Sequence, residues 1–436
     1  MKKGIILISL IVIVAAIATT SILIRKNDRI QENPAPVRIM LNDSLKNSMS
    51  DIPELYSMDK KVRSFMNKWA IKGASLAITR NDSLLYAKGY GWADEEQNIP
   101  MEPSHILRMA SVSKLITAAG IMVLQDKDSL NINDYVFGPE GILNDSLFTS
   151  VIKDKNYQKI TVEHLLRHQG GFYRDPLFSS VDVKHQLNLD YPPQKEDYFR
   201  LVLRSRLRFK PGSWQKYSNF GYLLLSEIIE KVSGMPYEEF IKNEVLAPAG
   251  CYDMHIAGNY YEDKRDNEVR YYTHEGDGKY IAEYNDSGNM VERCYGGNNI
   301  TLLSGAGAWC GSPAEIARFV ASIDGLPGVT DIISETAQQQ MVAYYDKDIF
   351  SLGWNDTHPN KGWQRTGTLA GTSALIRHYP DGECWIMITN TSTWRGPSLA
   401  KYTDDLFYQC RKQYSSKLPK RNMFEEFPKN DPCDKS

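Results

Sequence analysis

From Pro53 onward, apolar residues recur at Leu55, Met58, Val62, Phe65, Met66 and Trp69 and stop before Gly73. That three-and-four spacing predicts an amphipathic helix with one buried stripe. Two β-prone runs follow at 74–79 and 84–90, separated by the turn-forming triplet Asn81-Asp82-Ser83, and they are expected to pair as an antiparallel hairpin. The pattern returns near the other end, where 374–379 and 384–389 flank Pro380-Asp381-Gly382-Glu383 and a helical stripe runs over 398–414. Between the two lie helical segments at 111–125, 162–168, 219–232 with Gly234 as a stop, and 313–323. Strands at both ends with helices between them predict an α+β fold. It is expected to have an antiparallel sheet carrying terminal helices, an inserted all-helical region, and a cleft between the two as the place for a site.

The remaining stretches are read by what they lack. Residues 27–52 are polar, hold two prolines and show no period, so they are expected to be a tether, with the folded domain over 53–415 and a polar tail over 416–436. The tyrosine- and acid-rich stretch 260–295 has no clear period and is expected to be a long ordered loop. At the front, Lys2 and Lys3 precede an apolar run from 4 to 24 closed by Arg25 and Lys26. About 20 apolar residues suffice to span a bilayer, and Ala16-Ile17-Ala18 also offers a small-x-small cleavage site. Residues 1–26 are therefore expected to direct export as an anchor or as a cleaved signal. The apolar character resuming at Ile22-Leu23-Ile24 favours the anchor.

Composition narrows the partners. A net charge of -2 over 436 residues gives no field for gathering phosphates, which argues against nucleic acid. The six cysteines include no Cys-x-x-Cys pair, so a zinc knuckle is not supported. Four of them, Cys251, Cys294, Cys310 and Cys384, sit in apolar or aromatic surroundings, and Cys410 and Cys433 are candidates for a disulfide in an oxidising compartment. His164 and His168 stand one helical turn apart, but the glutamate of His-Glu-x-x-His is missing, so a structural pair is preferred to a metallohydrolase. Gly-x-Ser-x-Gly does not occur, and Gly305-Ala306-Gly307 lacks the third glycine of a dinucleotide loop.

Ser-x-x-Lys occurs at Ser57, Ser111, Ser150, Ser213 and Ser398, and only Ser111 opens a long apolar helix. Its hydroxyl would stand in the first turn with Lys114 one turn on, along the same face. A serine hydroxyl needs a base to become a nucleophile, and a lysine walled by apolar groups loses its preference for the charged form. Tyr217-Ser218-Asn219 is the sole Tyr-x-Asn and Arg365-Thr366-Gly367 holds the sole Thr-Gly, the latter just ahead of the second hairpin.

Ser-x-x-Lys, Tyr-x-Asn and a basic residue before Thr-Gly, in that order, resemble the motif set of class C β-lactamases and their DD-peptidase and esterase relatives. The likeness extends to 84–94, 160–172, 209–222, 304–319 and 366–373. The resemblance implies a β-lactamase/transpeptidase-like fold and acylation of Ser111, with Lys114 and Tyr217 sharing general-base and proton-return duties. It also implies that Asn219 holds the substrate amide and the lysine, and that the oxyanion lies between the backbone N–H groups of Ser111 and Thr368. Substrate binding falls to Asn219, Arg365, Thr366, Gly367 and Thr368. The third motif usually begins with Lys or His. Arg365 stays protonated and serves only as a fixed cation or carboxylate clamp, which counts against efficient β-lactam turnover.

The function implied is a cell-envelope serine hydrolase that opens an amide, ester or β-lactam bond without metal or organic cofactor. Its substrate would be a small molecule or peptide, with a carboxylate where Arg365 acts as a clamp. The alternative is a penicillin-binding or sensing module of the same fold with little or no turnover.

Overall fold

The period-two runs near the two ends build one sheet. The computed structural model describes residues 38–39, 41–274, 280–345, 349–426 and 429–430. The chain divides into two units, and Ile39–Pro428 carries everything considered below. The other unit joins Met1–Arg38 to Lys429–Ser436, so the export segment expected at 1–26 lies outside the described residues. Among the described residues no helix is long and apolar enough to cross a membrane.

In chain order the strands are β1 (Gly73–Arg80), β2 (Ser83–Asp94), β3 (Ile99–Pro100), β4 (Leu107–Arg108), β5 (His255–Ile256), β6 (Trp309–Gly311), β7 (Asp356–His358), β8 (Gly362–Leu369), β9 (Thr372–His378) and β10 (Glu383–Thr389). The seven-stranded sheet runs β7-β8-β9-β10-β1-β2-β3, antiparallel throughout, so the two expected hairpins meet where β10 pairs with β1. Alternation sends Leu76, Ile78, Leu375, Trp385 and Met387 to one face. There they pack on Met58, Val62 and Phe65 of α1 (Tyr56–Lys68) and on Leu406, Phe407 and Cys410 of the C-terminal helix Leu399–Tyr414. Ala77, Ala87, Ala374, Ile376, Ile386 and Ile388 face the other way, into the core shared with the helical region.

Two helices of that region position the site. α2 (Ser113–Asp126) is buried at every residue from Ser113 to Leu124, as expected of a helix apolar on all sides. α3 (Asn219–Ser233) begins where the Ser218 hydroxyl accepts from the amide of Gly221 and ends at Gly234, whose φ of +69° needs no Cβ. A small sheet in the order β4-β6-β5 lies beside them, and β4 leads into the Ser111 turn.

Several expectations are corrected. The tether ends before Leu41: Leu41 and Leu45 are buried, and Asn42 donates to Glu315 and Asp253. The tail is folded past 416, because Met423 and Phe424 are buried in the main core and Asn422 accepts from the amide of Leu84. Apolar spacing alone cannot detect such short segments, which bury two or three side chains without a period. The tyrosine-rich loop contains a hairpin, Tyr280–Ala282 with Met290–Glu292. Cys433, half of the candidate disulfide, lies outside the described residues, while Cys251, Cys294, Cys310, Cys384 and Cys410 are buried free thiols. The helix expected from Ser111 starts as a 3-10 turn at Ala110–Val112, with α2 proper beginning at Ser113.

Candidate active site

Ser111 sits in that 3-10 turn, directly after Ala110, whose φ of +49° is unusual for a residue with a side chain. The turn is pinned by β8. Arg365, Gly367 and Leu369 occupy the buried face of this strand, while Thr366 and Thr368 are half-buried. A Cβ on Gly367 would stand 2.3 Å from the carbonyl oxygen of Met109 and 3.1 Å from the amide nitrogen of Ser111. The glycine of the Thr-Gly pair is therefore what lets the strand approach the turn.

Lys114 is fully buried one helical turn after Ser111. Its Nζ lies 2.7 Å from Asn219 Oδ1, 2.5 Å from the carbonyl oxygen of Ala306 and 3.4 Å from Ser111 Oγ. The two nearer oxygens accept from the amine, and the serine oxygen lies within its reach. Burial lowers the Lys114 amine from its ordinary value; the neighbouring Tyr217 opposes this and the Arg365 guanidinium adds to it.

Tyr217 stands on the loop before α3, with Lys114 Nζ 4.9 Å from its ring centre and Arg365 Nη2 3.3 Å from its oxygen. Burial pushes the phenol up. The Lys114 amine and the Arg365 guanidinium, with hydrogen bonding to Lys114 and Ser111, outweigh it and bring the phenol down to about 8.

Arg365 is buried without exposed surface, its Nε donating to the carbonyl oxygen of Ser111 at 2.7 Å. The guanidinium is thus a cation beneath the turn, with two of its nitrogens committed to protein atoms. Of the two roles expected for it, fixed cation or carboxylate clamp, this burial fits the first, while its Nη1 is buried without a hydrogen-bond partner. Alternation on β8 explains the burial, because position 365 shares the inward face with Gly367.

Thr366 donates both its amide and its hydroxyl to Asn355 Oδ1, at 2.7 and 3.1 Å. Thr368 opens onto a cleft of about 510 Å³, with Leu369, Ala370, Phe178, Asn298 and Trp394 among its walls.

Sequence reasoning missed part of the frame. Asp175 is half-buried and accepts from the amides of Asn219 and Phe220, capping the helix that carries Asn219. Burial raises its carboxyl against the pull of those amides. His168 lies against the Tyr217 ring with centroids 4.3 Å apart, and its Nδ1 accepts from the amide of Ser218. Burial, reinforced by Lys114 and Arg365, holds it well below its usual value, so it is neutral packing for the tyrosine. His164 Nδ1 accepts from the amide of Thr161 in a capping box, so both histidines serve helix ends and loops. Asp175 acts on backbone amides 44 residues away and Asn355 on the amide and hydroxyl of Thr366, and neither carries a local motif. His168 was visible only as half of an i, i+4 pair.

Comparison with known proteins bears on the family and the fold. The penicillin-binding protein 4* of Bacillus subtilis is 31% identical over 193 residues, covering 43% of this chain and 39% of that relative's length. The octameric penicillin-binding protein homologue from Pyrococcus abyssi superposes with a TM-score of 0.63 at 22% identity, over 86% of this chain and 79% of that one. The D-amino acid amidase of Ochrobactrum anthropi gives 0.63 at 17% identity, over 83% of this chain and 100% of its own. At these identities the two superpositions establish the fold alone. The family model described as Beta-lactamase matches residues 58–406, and the chain belongs to that family.

Proposed function

We propose that the protein is a serine acyl hydrolase that opens an amide, ester or β-lactam bond through an acyl-Ser111 intermediate. The observation that carries this is the buried Lys114 amine, whose nitrogen lies 2.7 Å from Asn219 Oδ1, 2.5 Å from the carbonyl oxygen of Ala306 and 3.4 Å from Ser111 Oγ.

In the proposed cycle the Lys114–Tyr217 pair takes the Ser111 proton as Oγ bonds to the substrate carbonyl carbon. The two groups interact closely enough to titrate as one unit. The negative oxygen so formed is held between the backbone N–H groups of Ser111 and Thr368. Collapse of the intermediate breaks the bond to the leaving group, which receives the proton back from the pair. Water, deprotonated by the same pair, then releases the acyl group and restores the serine hydroxyl.

Arg365 acts in this scheme as an internal cation that lowers the Tyr217 phenol, and the cleft beyond Thr368 receives the substrate. A small molecule or short peptide fits a cleft of about 510 Å³, and no metal or organic cofactor takes part in the cycle. The apolar run between Lys3 and Arg25 and the relatives named as penicillin-binding proteins support an extracytoplasmic, envelope-associated location.

Intact-mass analysis after exposure to a penicillin, a D-alanyl peptide and an activated ester tests the proposal. A mass increase on native protein, absent in Ser111→Ala, is expected with at least one donor, followed by steady release of product. No adduct from any donor or from a fluorophosphonate on folded protein would overturn it. A burst without release would replace turnover with sensing.

A further inference from the structure

We propose that His255, Glu268 and Cys310 form a zinc-binding site behind the catalytic turn. Among the described residues this is the one group of three or more His, Cys, Asp or Glu side chains close enough to share an ion, with ligating atoms within 4.8 Å of one another. All three are buried: His255 at 5% exposure, Glu268 at 3% and Cys310 at 0%. The trio is assembled by topology, since Cys310 on β6 is the register partner of both His255 on β5 and Arg108 on β4.

The donors are oriented for a cation. Nδ1 of His255 lies 2.9 Å from the carbonyl oxygen of Asp253, which can only accept. Nδ1 therefore donates its proton to that carbonyl and Nε2 faces Glu268, the outer-shell arrangement that metal-bound histidines use. Oε2 of Glu268, 3.7 Å from that nitrogen, has no hydrogen-bond partner although it is buried. An orphaned carboxylate oxygen in such a place is costly unless something positive meets it. Oε1 of the same carboxylate lies 3.5 Å from Cys310 Sγ and accepts from the Tyr271 hydroxyl at 2.8 Å. With zinc bonds of about 2.0–2.3 Å, the ligand atoms of a tetrahedral site are about 3.3–3.7 Å apart. With a single carboxylate oxygen as ligand one separation already matches, 3.7 Å from His255 Nε2 to Oε2 or 3.5 Å from Cys310 Sγ to Oε1, and the remaining ligand atoms, within 4.8 Å of one another, draw in on loading. The Tyr271 oxygen, 3.9 Å from Cys310 Sγ, is the nearest remaining donor for the fourth position, which water otherwise fills.

Charge and chemistry favour zinc over a hard cation. A thiolate, an imidazole and a carboxylate are a borderline-soft set. On binding, the Cys310 thiol gives its proton to solvent, so thiolate and carboxylate balance the two positive charges of the ion. Arg108 faces the same carboxylate, but its guanidinium donates to the carbonyl oxygens of Cys294 and Gly258 and lies 4.4 Å over the Tyr271 ring, which leaves both oxygens of Glu268 free of it. Arg108 stands three residues before Ser111 on the strand paired with Cys310, so a bound ion would brace the segment that holds the nucleophile.

The test uses the full chain, stripped with chelator and titrated with Zn2+ and, as a spectroscopic probe, Co2+. One equivalent of Zn2+ is expected to survive gel filtration, and Co2+ is expected to give the near-ultraviolet thiolate charge-transfer band. Cys310→Ser should abolish that band, and His255→Gln should weaken Zn2+ binding on the order of 100-fold. Cys384→Ser, which removes a distant buried thiol, should leave the band intact. Circular dichroism establishes that each variant is folded, and His255→Gln carries the test where Cys310→Ser does not fold. Folded wild-type chain that retains no Zn2+ and shows no band would overturn the proposal, as would a band or an affinity unchanged in both His255→Gln and Cys310→Ser.

Discussion

Gly367 faces the amide nitrogen of Ser111 so closely that a methyl group on it would lie 3.1 Å from that nitrogen and 2.3 Å from the carbonyl oxygen of Met109. The strand and the nucleophile's turn are thus in backbone contact, and the spacing needed to hold an oxyanion between Ser111 and Thr368 depends on it. Gly367→Ala must push β8 outward, since the nearest obstacle is main chain that cannot rotate away. Overpacking of this kind costs about 1–3 kcal/mol. The expected result is a modest loss of thermal stability with a fall in kcat on the order of 100-fold, the cost of losing one oxyanion donor. Parallel denaturation and steady-state kinetics check it. Unchanged kcat in a folded variant would contradict the placement of the oxyanion.

Lys114 can serve as a base only while uncharged. Lys114→Arg keeps the length and a cation but cannot release a proton at accessible pH. Acylation by an activated ester is expected to slow about 10²–10⁴-fold, the range that general-base catalysis supplies. Rapid-quench mass analysis of the Ser111 adduct measures it. An acylation rate within a few-fold of wild type would leave Tyr217 as sole base.

The sheet, its terminal helices and the grouping of Ser111, Lys114 and Tyr217 were legible because each leaves a local trace. The hairpins alternate with period two around turn formers, and Ser111 is the one Ser-x-x-Lys at the head of an apolar helix. The orientation of Arg365 was not legible, since a motif states which residue follows which and not which face of the strand is buried. Asp175 and Asn355 were hidden for a related reason: Asp175 acts on backbone amides 44 residues away, and Asn355 on Thr366 across the β7–β8 turn, and neither carries a motif of its own. The packing of 41–50 and 418–424 escaped because burial of isolated side chains such as Leu41 or Phe424 has no period to detect.

The C-terminal segment is therefore expected to contribute to stability. Truncation after Lys417 removes the buried Leu418, Met423 and Phe424 together with the Asn422 contact to Leu84. Each fully buried apolar side chain is worth about 1.5–3 kcal/mol. A chain ending at 417 should lose several kcal/mol, on the order of 4–8, in urea unfolding. A chain ending at Glu426, which keeps those three side chains and Asn422, should lose much less. Equal stability of all three would show that the segment is not held in solution.

Tyr217 gives the site a pH signature whose sign follows from its neighbours. The phenol is brought down to about 8 against the effect of burial by two cationic groups, Lys114 and Arg365. If the Lys114–Tyr217 pair must lose one proton before it can accept that of Ser111, kcat/KM rises with pH and levels off above about 8. Arg365→Gln removes one of the two cations, so the phenol moves up and the rising limb moves to higher pH, by about one unit for each 1.4 kcal/mol of lost stabilisation. The same substitution removes a repulsion that lowers the Lys114 amine, so Lys114 also holds its proton to higher pH, which displaces the limb in the same direction. Because Arg365 is buried, the displacement should be equal for neutral and carboxylate-bearing esters. A loss confined to anionic substrates, with the pH profile unmoved, would restore Arg365 as a carboxylate clamp.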